Sequence, residues 1–239
     1  MSVLSASLAN GVKRFVFCSS TDRYGEQERL PFTEDMTPRP RDPYGIAKWA
    51  SELVIENLCK LHGAEYAIAV PHNIIGPRQK YDDPYRNVAA IMINLMLQGR
   101  QPIIYGDGEQ KRCFSFIEDV VEPLVKMGFS SEAAGEIINV GPDEEFVSIN
   151  ELAKIIAELL NFDLKPVYVP ARPLEVKLTT CSADKARKLL GYKTTVSLKD
   201  GLQEMIDYIG ARGPKPFSYH LDLEIVNEHT PKTWKERMF

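Results

Sequence analysis

"PYGIAKWASELVIENLCKLHGAEYAIAV", residues 43–70, contains a helix and a strand joined at a glycine. Pro43 suits the first turn of a helix, where its missing N–H costs no hydrogen bond. Ile46, Ala50, Leu53, Val54 and Leu58 then recur at helical spacing, predicting a helix over about 44–62. His62-Gly63 supplies the stop. "YAIAV", residues 66–70, is short, continuous and apolar, as a strand buried on both faces must be. A second apolar run, "RFVFC" at 14–18, precedes the helix. Strand, helix, strand in that order predicts a parallel sheet covered by helices.

The alternation continues on both sides of this unit. Residues 3–10 read as the last turns of a helix closed by Asn10-Gly11. Downstream, helices are expected at about 87–98, 119–128, 149–160, 183–190 and 198–209. Strands are expected at "PIIY" (102–105), "FSFI" (114–117), "GEIINVG" (135–141) and "KPVYVP" (165–170). Ser148 and Glu151 have the spacing of a capping box. Asp119, ahead of an apolar run, reads as a helix cap and not as a catalytic acid. From about 213 the chain changes character, with three prolines and aromatic anchors. There Thr230-Pro231 predicts an N-cap with proline at the first helical position.

Composition narrows the class. A chain of 239 residues, 44% hydrophobic and 26% charged, is long enough for one large domain or one and a half. Its net charge of −4, with basic residues scattered, predicts no nucleic-acid partner. No apolar stretch reaches the ~20 residues of a membrane span, so no membrane partner is expected. Cys18, Cys59, Cys113 and Cys181 are widely spaced, with no CxxC and no Cys/His cluster. This usage predicts reduced thiols, a cytoplasmic setting and no metal site. The opening "MSVLSASLANGVKR" lacks a basic region before its apolar residues, which argues against a signal peptide.

Tyr44 and Lys48 carry the first chemical hint. Four residues apart on a helix, they share a face. A phenol titrates near pH ~10 and is a poor base, but a neighbouring ammonium favours its phenolate. Such a pair can act as a general acid/base. A hydroxyl from another element, such as Ser20 in "CSSTDRYG" (18–25), could bind the reacting oxygen. Arg112 and Arg172 suit a diphosphate, whose oxygens match guanidinium forks. Glu175 could accept hydrogen bonds from a ribose diol. Asn73 reads equally as a turn former ahead of Gly76-Pro77, and His72 as a wall residue. Nothing matches G-x-G-x-x-G, the glycine-rich turn of a dinucleotide-binding sheet.

"VKRFVFCSS…YG", "DPYGIAKWASE", "PHNIIGPRQ", "GDGEQKRCFSFIEDV", "INVG", "RPLEVK" and "SADKARKLLGY" occur in that order. Together they resemble the extended short-chain dehydrogenase/reductase family, in its NAD-dependent nucleotide-sugar epimerase/dehydratase branch. The likeness, of UDP-glucose 4-epimerase type, covers residues 1 to about 210. It implies an α/β chain: the C-terminal part of a doubly wound parallel (Rossmann-type) sheet with a smaller mixed α/β substrate-binding domain. By resemblance, residues 1–75 belong to the dinucleotide-binding domain, with a return segment near 106–145. Residues 76–212 are mainly the substrate-binding domain, and 213–239 form a tail. The N-terminal part of that domain is absent from this sequence, and weak NAD binding, or none, is the consequence expected.

The resemblance also implies roles. Tyr44 is the base, Lys48 lowers its pKa and holds the nicotinamide ribose, and Ser20 meets the reacting sugar oxygen. Cys18 and Pro71, with His72, lie at the NAD end. Thr21, Asn73 and Asn87 contact the nucleotide sugar, and Tyr105 flanks its base. Arg112 and Arg172 reach the diphosphate, and Glu175 the ribose hydroxyls. The implied partners are a nucleotide-sugar substrate and a second copy, paired through the Tyr44 helix and the helix before it.

The reaction turns on Asp22. Dehydratases of this branch carry Thr-Asp-Glu before Tyr-Gly, and the register from Tyr24-Gly25 aligns that run with Ser20, Thr21 and Asp22. Thr21 cannot ionise, so the reading is epimerisation at C4 through a 4-keto sugar. A 4,6-dehydratase or a UDP-glucuronate decarboxylase using Asp22 stays open, as does an inactive nucleotide-sugar-binding remnant.

Overall fold

Residues 1–239 are described in a computed structural model. The helices are α1 (Ser2–Ala9), α2 (Pro43–His62), α3 (Val88–Leu97), α4 (Ile117–Phe129), α5 (Ile149–Leu160), α6 (Asp184–Leu190), α7 (Leu198–Arg212) and α8 (Lys232–Lys235). The strands are β1 (Arg14–Cys18), β2 (Glu65–Pro71), β3 (Ile74–Ile75), β4 (Ile103–Tyr105), β5 (Lys111–Arg112), β6 (Ser115–Phe116), β7 (Ile137–Val140), β8 (Val147–Ser148), β9 (Val167–Val169) and β10 (Leu178–Thr179). No helix is long and apolar enough to cross a membrane.

The chain forms two compact units. The first comprises Met1–Ile74, Cys113–Glu145 and Thr179–Thr195. At its centre is a parallel sheet ordered β1-β2-β7, with Phe15 opposite Tyr66 and Ile68 opposite Ile137. Strand β2 is buried on both faces, and its residues divide by parity. Tyr66, Ile68 and Val70 enter a core with Ile55 and Cys59 of α2. Ala67 and Ala69 enter the opposite core, with Val120 and Met127 of α4 and Leu190 of α6. Strand β1 is only half-buried, contrary to the buried strand expected, because it lies at the sheet's edge.

The second unit comprises Ile75–Arg112, Phe146–Leu178 and Val196–Phe239. Helix α3 is buried from Ala89 through Met96 and packs between α5 and α7. Its sequence is apolar all round, which suits a helix with no solvent face. Strands β4 and β9 pair in parallel, while β5 and β8 pair antiparallel, so this unit is mixed. The Ser148–Glu151 capping box forms in full at the start of α5. Residues 179–195 belong to the first unit, not to the second as a 76–212 boundary would have it. The physical reason is α6, which packs on β7 and α4. Residues 106–112 lie in the second unit, so the first return begins at Cys113.

Three local expectations are corrected. "FSFI" yields only Ser115–Phe116 as strand, because Ile117 already begins α4 and Glu118 and Asp119 favour a helix first turn. Asp119 lies inside that turn, not at the cap. Its carboxylate accepts the Thr195 backbone N–H at 3.0 Å and the Thr195 hydroxyl. Thr230 does not cap α8, which starts one residue later after Pro231. Its hydroxyl accepts from the Asn227 N–H at 3.0 Å and donates to the Ile225 carbonyl at 3.2 Å, closing the preceding turn.

Candidate active site

Strand β1 ends at Cys18, and the chain turns through Ser19 and Ser20 into a single 3-10 turn, Thr21–Arg23. The Ser20 hydroxyl caps this turn by accepting the Asp22 N–H at 3.3 Å. Thr21 is buried beneath the turn, and Asp22 is exposed. The turn lies directly on the start of α2, where Asp42 caps the helix by accepting the Gly45 N–H at 2.7 Å. A Cβ on Gly45 would sit 2.6 Å from the Asp22 carbonyl oxygen, so the approach requires glycine.

This contact brings Ser20, Tyr44 and Lys48 together. The Ser20 hydroxyl lies beside the Tyr44 phenol and favours its ionised form. Lys48 donates from Nζ to the Cys18 carbonyl at 2.8 Å. Its Nζ also lies 5.0 Å from the Phe17 ring centroid and 5.6 Å from that of Tyr44. Burial raises the Tyr44 pKa, the Ser20 hydroxyl opposes that rise, and Asp22 and Asp42 add to it. The expected depression of this pKa by Lys48 therefore does not appear. Its ammonium is directed to the Cys18 carbonyl, and the net shift is upward.

A buried ion pair, not anticipated from sequence, supports the turn. Glu52 follows Lys48 by one helical turn, extending the Tyr44–Lys48 spacing. That spacing was the available signal. Glu52 accepts from the Ser19 hydroxyl, and its Oε2 lies 2.8 Å from Nη2 of Arg23. Both side chains are 3% exposed. Burial raises the Glu52 pKa, against the lowering effects of Ser19 and Arg23. Tyr24 donates to Asn139 Oδ1 at 2.8 Å, tying the turn to β7. Gly25 has a φ of +59°, and a Cβ there would strike the Arg39 carbonyl.

Strands β1 and β2 are parallel, with Cys18 opposite Ala69, so Pro71 and His72 leave the sheet at the same edge as Cys18. His72 is buried, with Nε2 2.7 Å from the Pro142 carbonyl oxygen. Asn73 adopts a positive φ of 43° and donates from Nδ2 to the Cys113 carbonyl at 2.9 Å. That is turn-forming geometry, and it occupies one amide donor.

In the second unit, four expected substrate residues form one cluster. Glu175 Oε1 accepts from Arg172 Nη2 at 2.7 Å and lies 3.7 Å from Arg112 Nη2. The Arg172 guanidinium lies 4.9 Å from the Tyr105 ring centroid. Arg112 donates to the carbonyls of Val176 at 2.6 Å and Lys177 at 2.9 Å, and so clasps the loop that carries Arg172 and Glu175. Asn87 stands apart as the N-cap of α3, with Oδ1 accepting the Ala89 N–H at 2.9 Å. The Tyr105 hydroxyl hydrogen-bonds Thr233, a tail residue that sequence reasoning did not single out.

The donor set on α2 suits a nicotinamide ribose, since the Tyr44 phenol and the Lys48 ammonium sit side by side at the carboxyl edge of the sheet. Comparison with known proteins places the chain in a family. The chain is 31% identical over 202 residues to a UDP-glucose 4-epimerase of Mycolicibacterium smegmatis, covering 83% of this chain and 63% of that protein. It is 33% identical over 218 residues to a UDP-N-acetyl-alpha-D-glucosaminuronate decarboxylase of Bacillus cytotoxicus, covering 86% and 66%. It thus spans less than two thirds of either relative. The UDP-glucose 4-epimerase of Thermotoga maritima, solved with UDP-glucose, superposes with a TM-score of 0.81 at 33% identity, covering 88% of this chain and 67% of that one. Residues 1–141 match the NAD dependent epimerase/dehydratase family, and the chain belongs to that family.

Proposed function

We propose that this chain carries the catalytic and sugar-nucleotide parts of an NAD-dependent C4 epimerase acting on a UDP-hexose. The observation that carries the reading is the convergence of Ser20, Tyr44 and Lys48 at the end of β1. NAD is the cofactor of the family, and when bound it supplies the hydride acceptor and donor. Tyr44 takes the proton of the sugar's C4 hydroxyl and returns it to the 4-keto oxygen after the sugar has turned its other face. Ser20 hydrogen-bonds both that oxygen and the phenol, passing the proton between them. Lys48 contributes positive charge beside the phenolate and a donor for the nicotinamide ribose, where Cys18 and Pro71 would lie beside the ring. Arg172 and Glu175 hold the diphosphate and ribose, with Tyr105 at the base. Arg112 acts by holding their loop. Thr21, Asn73 and Asn87 complete the sugar-nucleotide contacts, Asn87 from the start of α3. Two copies pair through α2.

The test uses the chain joined to the N-terminal third of a relative, which supplies the glycine-rich turn. With NAD and UDP-glucose, the expected product is the C4 epimer. Tyr44→Phe should lower kcat by about 10²–10⁴-fold with UDP-glucose affinity retained. A decarboxylase among the relatives, together with an exposed carboxylate at Asp22 near Tyr44, supports a second reading in which Asp22 is the acid/base. Asp22→Asn separates the two. Turnover retained supports the epimerase, and turnover abolished with binding unchanged transfers the chain to dehydration or decarboxylation.

A further inference from the structure

The tail, residues 213–239, lies beyond both the family match and the motifs of the sequence, yet it folds as part of the second unit. Its start is fixed to α3: Asn94 donates to the Lys215 carbonyl at 2.9 Å and accepts the Lys215 N–H at 3.0 Å. Its end is fixed by Arg100, which donates to the Met238 carbonyl at 2.9 Å. Between these anchors the tail reaches two segments expected to meet the nucleotide. Tyr219, His220 and Trp234 surround the Tyr85 ring, two residues before Asn87, with centroids 6.1, 5.4 and 5.2 Å away. Thr233, fully buried, reaches Tyr105.

The second contact is specific. The Thr233 hydroxyl hydrogen-bonds the Tyr105 phenolic oxygen. The Tyr105 backbone carbonyl is held by Gln110 Nε2 at 3.2 Å. The ring is thus fixed at both ends, with the Arg172 guanidinium over its face. A tyrosine ring layered with a guanidinium is a flat, electron-rich and cationic surface, suited to stacking a planar base. Glu175 and Arg172 beside it suit the ribose and phosphate of the same ligand.

We propose that the tail is part of the nucleotide site, with Thr233 the positioning residue that orients Tyr105 as the stacking platform for the base of a nucleoside diphosphate. This rests on the nucleotide-sugar reading above. Its consequence is that base affinity depends on a single hydroxyl on the tail, outside the shared motifs.

Calorimetric titration of the 239-residue chain with UDP tests it, with melting temperature followed in parallel. Removing the hydroxyl in Thr233→Val frees the Tyr105 ring and should weaken UDP binding about tenfold, with a modest fall in melting temperature from the lost buried hydrogen bond. Thr233→Ser keeps the hydroxyl and should bind within about twofold of the parent. Tyr105→Phe keeps the ring but frees it from Thr233, and should weaken binding as Thr233→Val does. This arm carries the test even where Thr233→Val fails to fold. Equal UDP affinity in the parent and either disrupted variant overturns the proposal, as does a Ser variant as weak as the Val variant. A parent chain that binds no UDP overturns the nucleotide-sugar reading, and this inference with it.

Discussion

His72 shows how one buried side chain couples stability to pH. The other histidines, His62, His220 and His229, are exposed, whereas His72 is 1% exposed. Its Nε2 meets the Pro142 carbonyl and so carries the proton, while Nδ1 is buried without a partner. Protonating Nδ1 would bury an N–H and a charge with no acceptor, so burial lowers the His72 pKa. The unfolded histidine titrates near ~6.5, so below that pH the unfolded chain binds a proton that the native state resists. Native stability is therefore full at neutral pH and falls below pH ~6.5, by up to about 1.4 kcal/mol per pH unit from this group. Thermal melting between pH 7.5 and 5.5 should show the decline, and His72→Gln should flatten it. A slope unchanged in the variant assigns the effect elsewhere. Sequence raised His72 only as a wall residue or a contact. Its burial comes from β7 and Pro142, about 70 residues away in the chain, which no local pattern encodes.

At the scale of elements, α2 was legible almost to the residue. Pro43, the apolar spacing and Gly63 mark its bounds, and Gly63 takes the left-handed cap conformation, with a φ of +67°. What the pattern could not reveal is why position 45 is glycine. Helix propensity favours alanine there by about 1 kcal/mol. The turn that carries Asp22 opposes it, because a Cβ would fall 2.6 Å from the Asp22 carbonyl oxygen and 3.1 Å from Pro40 Cβ. Backbone on one side of a close contact cannot yield as a flexible side chain can. Gly45→Ala should thus destabilise the chain by about 1–3 kcal/mol despite the better helix former, and should displace Ser20 from Tyr44. Chemical denaturation measures the first effect, and a rise in stability would mean that the turn moves freely. The same limit applies to "FSFI" and Thr230-Pro231, where local preference identified the element but neighbours set its first residue.

At the scale of the molecule, the proposed pairing of two copies would use an apolar stripe on helix α2. Ile46, Leu53 and Leu61 lie on it 51%, 51% and 73% exposed, at spacings of seven and eight residues. Those spacings bring large apolar side chains to nearly one side of the helix. In the proposed dimer this stripe is covered by its copy. Leu53→Glu should shift the protein to monomer in sedimentation velocity, and its melting temperature should lose its dependence on protein concentration. A parent chain that sediments as a monomer at all concentrations would reject pairing.

The sequence by itself determined the class of fold, the position of α2, β2 and α5, the family and its NAD dependence. Each rests on short-range spacing: a period of two or 3.6, a cap, or a motif with its residues close together. Ser20, Tyr44 and Lys48 could be named for the same reason, because family motifs carry them in order. Only the tertiary structure decided what surrounds them. It directed Lys48 to the Cys18 carbonyl, left the Tyr44 pKa raised, and buried Arg23 against Glu52. It assigned Arg112 to three backbone carbonyls, and it brought Thr233 of the tail to Tyr105. These depend on contacts between residues far apart in the chain, and on competition for each donor and acceptor once water is excluded. That competition is resolved only when the chain has folded.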